Sequence, residues 1–242
     1  MSDNLEYLVN GLPRLGEGIL VTLELTVGGA ALAFLVAMLL GLGSRGRWWF
    51  RVPSRVVVEF FRGTSLVVQL FWLFYVLPVF GFQLESLACG ILALGLNYGA
   101  YGAEVVRGSI NAVPQGQWEA TTALDMSPAH RLRRVILPQA WPLMIPLFTN
   151  LLIQLVKGSA LATYILLHDL NYFIEQMRRG TQDTVFSYVV GLLLYFAIAY
   201  LLTLLMNAIE ARAKSRVGIG PTPREVLQVA PVPTTQGGGV SV

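Results

Sequence analysis

An all-α protein threaded several times through a membrane is what this sequence predicts, and three observations carry the prediction. Of its 242 residues 55% are hydrophobic and only 13% charged, with a mean hydropathy of +0.61, more apolar surface than a soluble domain of this length has core to hide. Five stretches are each long enough, at about 20 residues, to cross a hydrocarbon layer as a helix. The arginines gather in alternate connections between those stretches, as the positive-inside rule requires of cytoplasmic loops. A net charge of +3 spread in this way excludes a nucleic-acid footprint, which needs basic residues clustered on a soluble face. The single cysteine, Cys89, lies in an apolar run; it leaves no intrachain disulfide or cysteine-rich metal site and reads as a packing thiol.

Residues 1–16 are polar and slightly acidic, with neither the basic start nor the short apolar core of a cleaved leader. They are expected as an extracytoplasmic segment ahead of a first span over 17–43 that is retained. The second and third spans are placed at 55–80 and 84–108. Polar residues interrupt both, in "FFRGTSLVVQLFWLFYVLP" and "GILALGLNYGAYGAEVV", and such residues persist in a bilayer where they face protein or a water-filled cavity. A fourth span is expected at 139–167 and a fifth at 183–211. Between these two, Leu170, Phe173, Ile174 and Met177 repeat at i, i+3, i+4 and i+7, as on an interfacial amphipathic helix. The last segment, 212–242, is Pro- and Gly-rich from Pro221 and reads as a disordered cytoplasmic tail.

Orientation follows from the basic residues. Arg45, Arg47, Arg51 and Arg55 fill the first connection, the next, "PVFGFQLE", has no Lys or Arg, and Arg131, Arg133 and Arg134 fill the third. With five spans the N-terminus is outside and the C-terminus inside, in accord with Arg212, Lys214 and Arg216 after the last span. Arg178 and Arg179 dissent, but Asp169, Glu175 and Asp183 flank them.

The segment 111–140 is too polar for lipid and too long for a turn. "PQGQWEATTAL" opens on a proline suited to a first helical turn, and Ser127 followed by Pro128 is an N-cap with proline at N1, so a helix–turn–helix is expected. Trp118, Leu124, Leu132, Val135 and Ile136 offer apolar knobs among Arg131, Arg133 and Arg134, the mixture found on a helix that docks in a partner's groove. An amphipathic hairpin lying on the inner leaflet satisfies the same pattern.

Within the spans, Glu59-x-x-Arg62 and Glu104-x-x-Arg107 each place opposite charges on one helix face. They form two intrahelical pairs, or exchange partners as an inner gate opens. Lys157 has no opposite charge nearby in sequence and is costly in lipid, so it faces a cavity or snorkels to the interface. Gln69 and Asn97, with Trp72 and Tyr98, are candidate path-lining residues in the interrupted spans. Trp72, Tyr75, Tyr98 and Tyr101 supply enough aromatic surface to cage a delocalised cation, although aromatic belts account for such residues equally well. Glu24 is either a pathway charge or part of a helix–helix contact. Gly95, Gly99 and Ala103 form overlapping small-x-x-x-small steps that bring helices close.

The central segment resembles the EAA loop of bacterial ABC-importer permeases, whose pattern is E-A-A, three residues, G, nine residues, I-x-L-P. Glu119, Ala120, Val135, Leu137 and Pro138 occupy those places at the right spacing, with Thr121 for the second alanine, Asp125 for the glycine and Val135 for the isoleucine. Asp tolerates the positive φ such a turn needs. "YGAYGAEVVRGSINAVPQGQWEA" and "RRVILPQAWPLMIPLFTNLLIQLVKGSAL" extend the likeness to the polar amino-acid uptake permeases of the histidine and glutamine transporter type over roughly 15–215. "FRGTS", "LNYGAYGAEVVRG" and "ALDMSPAHRLRRVILPQA" are similar to ectoine and hydroxyectoine permeases. The resemblance implies a type I importer in a bacterial inner membrane, with two permease subunits, a cytoplasmic ATPase dimer and an extracytoplasmic solute-binding protein. It implies that Gln117, Glu119, Ala120, Asp125, Ser127, Arg131, Arg134, Leu137 and Pro138 couple the chain to the ATPase, and that the stretch from Lys157 through Ser159 to Leu161 lines the path. No G-x-x-x-x-G-K-[ST] loop occurs in the chain, so no cofactor is expected here and ATP and Mg belong to the partner.

A secondary carrier or a channel for small zwitterionic solutes is the competing class. A carrier calls for inverted repeats, and none is visible. A membrane enzyme calls for a catalytic cluster, and His130 and His168 are expected on opposite sides of the membrane, so no catalytic or metal site is assigned.

Overall fold

A computed structural model describes residues 2–217, and the expected disordered tail from Pro221 lies outside them. The described residues are helical throughout, with no strand. Helix α1 (Ser2–Gly43) is unbroken from the N-terminal segment through the first span, although Pro13 lies within it. It is followed by α2 (Trp48–Gly63), a short α3 (Leu66–Phe71) that continues through a π-turn and a 3₁₀ turn to Phe80, α4 (Ser86–Asn111) and α5 (Gln115–Ala123). One turn of helix, α6 (Pro128–Arg131), runs through a π-turn straight into α7 (Leu137–Ser159) and a 3₁₀ end, Ala160–Ile165. Helices α8 (Leu170–Thr181) and α9 (Thr184–Val217) complete the fold.

The seam between α1 and α4 organises the rest. Leu25 packs on Gly90, Ile91 on Gly28, Leu32 on Gly95, Val36 on Gly99 and Val106 on Gly41. The partners rise together along both helices, so the two run parallel, each presenting glycines where the other presents branched side chains. A methyl group at Gly95 would meet Leu32 Cδ2 at 2.5 Å. The small-residue steps read from sequence are therefore a helix–helix seam. Helix α7 runs antiparallel to both: Phe148 reaches Gly102 and Phe34, while Leu155 reaches Gly29. Helix α9 runs antiparallel to α7, with Ile198 beside Val156 in one cluster and Met206 and Ile209 around a cavity with Trp141.

The chain thus passes five times between two ends, with α2 and α3 making one broken passage. Three helical runs, or four with the broken pair counted as one, are long and apolar enough to span on that ground alone. Helix α4 is not among them. Thirteen of its residues are buried, Asn97 included, so protein surrounds it and it has no need to be apolar on every side.

Three expectations are corrected. The second span is not one helix: α2 and the following helical segment, Leu66–Phe80, meet at 101°. The sequence Gly63-Thr64-Ser65 explains the break, because Thr64 and Ser65 are both extended and the Thr64 hydroxyl turns back to the Phe60 carbonyl at 2.8 Å. The second helix of the central hairpin is not separate either, being the first turn of a helical run that continues to Ile165. Finally, the apolar stripe of α8 does not lie on a membrane surface. Leu170, Ile174 and Met177 are buried, and Leu170 and Ile174 join Leu15 of α1 and Ile198 of α9 in one core cluster.

Candidate functional site

At one end of the molecule, loops from three places in the sequence come together. Arg45, just past α1, donates a hydrogen bond to Asn111 Oδ1 at the end of α4, and its guanidinium lies 5.1 Å from the Trp118 ring centroid on α5. Arg45 is exposed as a residue, but partial desolvation of its guanidinium draws it below its usual pKa. Asn111, Trp118 and Glu119 share with Arg45 an open cavity of 710 Å³. This is the end that holds both arginine-rich connections, while Arg178 and Arg179 lie at the other, where α8 packs beside the first half of α1.

The central segment folds as a compact hairpin. Thr121 and Thr122 both turn their hydroxyls back onto the Trp118 carbonyl at 2.8 Å, and Asp125 takes the left-handed turn at φ 51° that the residue in its place must adopt. Ser127 stands at the N-cap before Pro128 without a side-chain capping bond. Arg131 donates to the Met126 carbonyl at 3.3 Å, closing the turn, and Gln139 of α7 donates to Gln117 at 3.1 Å. Most of the apolar knobs are used inside the molecule: Ile136 is buried with Val106, Ile110 and Met144, and Trp118, Leu132 and Val135 pack on that cluster. Leu124 alone of the five stays outside, 75% exposed. The face left open carries Glu119, Ala120, Ala123, Leu124 and Asp125, with Arg134 and Pro138 exposed beside it and Leu137 half-buried.

The four charged residues assigned to an inner gate separate. Glu59, Glu104 and Arg107 line one 200 Å³ cavity with Arg55, and Arg107 donates to Glu104. Arg62 does not pair with Glu59. Its guanidinium lies 5.4 Å from the Tyr101 ring centroid and its Nε is buried without a hydrogen-bond partner. Two intrahelical pairs were one expectation, and one of them forms.

The expected path residues divide in the same way. Gln69 Nε2 donates to Thr64 Oγ1 at 2.7 Å and to the Phe61 carbonyl at 3.0 Å, and Asn97 Nδ2 reaches that same carbonyl at 3.0 Å. Both amides serve the carbonyls left free where α2 breaks, groups that cannot stay unpaired away from water. Gln69 Oε1 remains buried and unpartnered at the break. Trp72 lines an apolar groove there with Phe60 and Leu73. The tyrosines do not form one cage: Tyr75 donates to the Tyr164 carbonyl, Tyr98 to the Gln154 carbonyl, both at 2.9 Å, and Tyr101 faces Arg62. Lys157 is exposed at the end of α7, next to Gly158, which abuts Leu66 of α3 and Tyr98 of α4. Ser159 is fully buried, its hydroxyl on the Val156 carbonyl at 2.7 Å, on the side away from Lys157. Glu24 is exposed.

Two features escaped the sequence reading. One is the Arg45–Asn111–Trp118 junction, in which Arg45 lies 66 residues from Asn111. The other is Asp169, fully buried where α7, α8 and α1 meet. Asp169 caps α8 through the Tyr172 N–H at 3.1 Å and accepts from the Thr163 hydroxyl at 2.5 Å, while its Oδ2 has no partner. Burial pushes its carboxyl above the usual range against the pull of those hydrogen bonds. His130 and His168 lie at opposite ends as expected, His168 packed on the Tyr172 ring at 4.3 Å.

A bundle of long apolar helices with an exposed hairpin at its basic end is the architecture of a multi-pass membrane protein. Residues 17–215 match the family of binding-protein-dependent transport system inner membrane components, and the chain belongs to that family. It is thus the permease component of an ABC importer, a multi-pass inner-membrane protein, and membership implies a partner ATPase and a second permease subunit. A probable amino-acid ABC transporter permease of Sinorhizobium fredii, y4tF, is 44% identical over 207 residues, covering 83% of this chain and 87% of that one. The L-cystine transport system permease TcyB of Bacillus subtilis is 36% identical, covering 83% and 86%. The crystal structure of an amino acid ABC transporter with histidines superposes with a TM-score of 0.79 at 30% identity, covering 85% of this chain and 96% of that chain.

Proposed function

We propose that this permease carries amino acids, or amino-acid-like solutes such as ectoine and hydroxyectoine, inward, and that it is driven through the open face of α5. The observation that carries the reading is the hairpin itself. Its inward side chains are committed to the core, while Glu119, Ala120 and Leu124 are left exposed at the end where both arginine-rich connections gather. The basic end is then cytoplasmic, the N-terminus outside and the five passages five spans. ATP and Mg are used by the ATPase dimer docked on this face, and a solute-binding protein delivers the solute at the opposite end.

The substrate class is supported by relatives whose names specify amino-acid, cystine, arginine and octopine transport, and by Lys157 beside the break between α2 and α3, where an ammonium can meet a substrate carboxylate. Glu59, Glu104, Arg107 and Arg55 would close the path at the cytoplasmic end, as a rearrangement of ion pairs that accompanies rigid-body motion.

Substituting Glu119→Lys tests the coupling, because a reversed charge at a helix-in-groove contact adds repulsion as well as removing attraction. The variant is expected to insert normally, to lose most of the copurifying ATPase, and to lose transport in proportion. Full ATPase recovery with normal solute-stimulated hydrolysis would remove α5 from the interface and favour a hairpin that lies on the leaflet.

A further inference from the structure

The first turns of α2 project from the bundle. Residues 45–53 are all exposed, and within the helix only Ser54 and Val58 are buried. This projecting turn begins directly after Gly43, where the apolar run of α1 ends, which is the depth of a membrane–water interface. Its composition is specific. Trp48 and Trp49 are 61% and 68% exposed with ring centroids 4.2 Å apart, and Phe50 is 68% exposed. Arg47 and Arg51 are exposed one helical turn apart, and among the described residues their guanidinium groups make no ion pair or hydrogen bond. No Asp or Glu occurs between Glu24 and Glu59, so the sequence offers these arginines no local counter-charge.

On the helix the two sets separate by direction. Trp48, Val52, Val56 and Phe60 follow one another at intervals of four residues, all exposed, forming an apolar row that continues inward along α2. Arg47 and Arg51 form the neighbouring row. An apolar row that reaches down into the bilayer, topped by indoles and flanked by unpaired guanidinium groups, fits acyl chains below and phosphate oxygens at the surface. Indoles settle at that level because one edge is apolar and the N–H is polar, and guanidinium groups bind phosphate oxygens through paired N–H donors.

We propose that this projecting turn is a clamp for anionic lipid, with Trp48 and Trp49 seated in the headgroup layer and Arg47 and Arg51 on the lipid phosphates. The two guanidinium groups without a counter-charge beside the exposed indoles favour an anionic headgroup over a second permease subunit, because an identical copy brings the same arginines and no acidic residue from this stretch. The clamp fixes the start of the broken second passage, so the permease should respond to the anionic content of its leaflet.

Bromine-labelled lipids quench nearby tryptophans and test this directly on the full chain in lipid nanodiscs. The signal is taken as the difference between the native chain and a Trp48→Phe/Trp49→Phe variant, which removes the contribution of the other tryptophans. Brominated phosphatidylglycerol should quench this signal at a lower mole fraction than brominated phosphatidylcholine. Arg47→Gln/Arg51→Gln should raise the required mole fraction of phosphatidylglycerol about fivefold per arginine, roughly 25-fold together, and Arg47→Lys/Arg51→Lys should retain most of the preference. Equal quenching by the two lipids, or a preference that survives the double Gln variant, overturns the clamp. Quenching by neither lipid also overturns it, because the turn is then covered by protein such as a second copy of the permease.

Discussion

Helix α4 has two neighbours built on opposite principles. Against α1 it forms a seam of glycines and branched side chains in which each partner fills the hollow of the other, with no polar atom needed along its length. Against α2 and α3 it meets a passage bent by 101°, held by side-chain amides on stray carbonyls and lined by an apolar groove of 280 Å³. The first contact is dense and has one way of fitting together. The second is loosely filled, and hydrogen bonds that can be exchanged close it. Packed glycine seams move as rigid bodies, while a broken helix with an unpartnered amide oxygen has alternatives at low cost. In the proposed transport cycle the α1–α4 pair is the frame and the α2–α3 passage the moving wall of the path.

The largest expected effect comes from jamming the frame. In Gly95→Val the new Cβ would lie 2.5, 2.6 and 2.8 Å from three Leu32 atoms, and the nearest of these to the backbone is Leu32 Cβ, which cannot swing away. Overpacking of this kind costs about 3 kcal/mol, the upper part of its usual range, and should lower the thermal midpoint and yield of the detergent-solubilised permease by a clear margin. Gly108→Ala on the same helix has nothing within 4 Å and should be neutral or stabilising by up to about 1 kcal/mol. Equal behaviour of the two variants would erase the distinction between seam and surface.

A middle-sized effect is expected at the moving wall. Lys157 stands where α7 meets α3, and if it receives a substrate carboxylate its contribution is charge and not volume. Lys157→Met should lower uptake by about 2 kcal/mol, roughly thirtyfold, at the lower end of charge-assisted pairing because the ammonium is solvent-exposed. Lys157→Arg should retain much of the uptake, and the amount of folded protein should be the same in both. Proteoliposomes with the binding protein saturated isolate this step, and near-normal uptake by Lys157→Met would make the lysine an interface residue.

How much of this was legible in the sequence differs between the same two regions. The glycine seam could be read because Gly95, Gly99 and Ala103 lie on one helix face, a local spacing that survives any tertiary context. The turn of the central hairpin could be read for the same reason: Asp125 and Pro128 fix the backbone locally, and Asp125 takes the left-handed turn. The broken passage was read as continuous, because apolar composition is all that a span requires and Gly63-Thr64-Ser65 is short enough to be overridden by packing. The path residues were read from polarity, and polarity in a membrane has two meanings. Gln69 and Asn97 spend their amides on the Phe61 carbonyl, whereas Lys157 spends its charge on nothing within the sequence nearby. Ser159 lies on the opposite side of its helix from Lys157, a difference of two residues in sequence. The stripe on α8 had the right period and the wrong neighbour, since periodicity shows that a face is covered without saying by what.

The smallest effect, and the finest test of the comparison, lies at Arg45, where frame and coupling hairpin touch. Arg45 leaves α1 at the end of the rigid seam, binds Asn111 at the end of α4 and covers Trp118 of α5. In the proposed cycle, displacement of α5 by a docked ATPase acts on this guanidinium as well as on the α1–α4 core that Trp118 packs against. Arg45→Lys keeps the charge but loses the planar stack and the forked donors, a change of about 0.5–1 kcal/mol for an exposed cation–π contact, or two- to fivefold. Because Glu119 and Leu124 are untouched, ATPase copurification should be unchanged, and solute moved per ATP hydrolysed should fall by that factor in proteoliposomes. A parallel fall in ATPase recovery would place Arg45 on the docking face itself, and an unchanged ratio would mean that the hairpin drives the path through the Gln117–Gln139 contact and α7 instead.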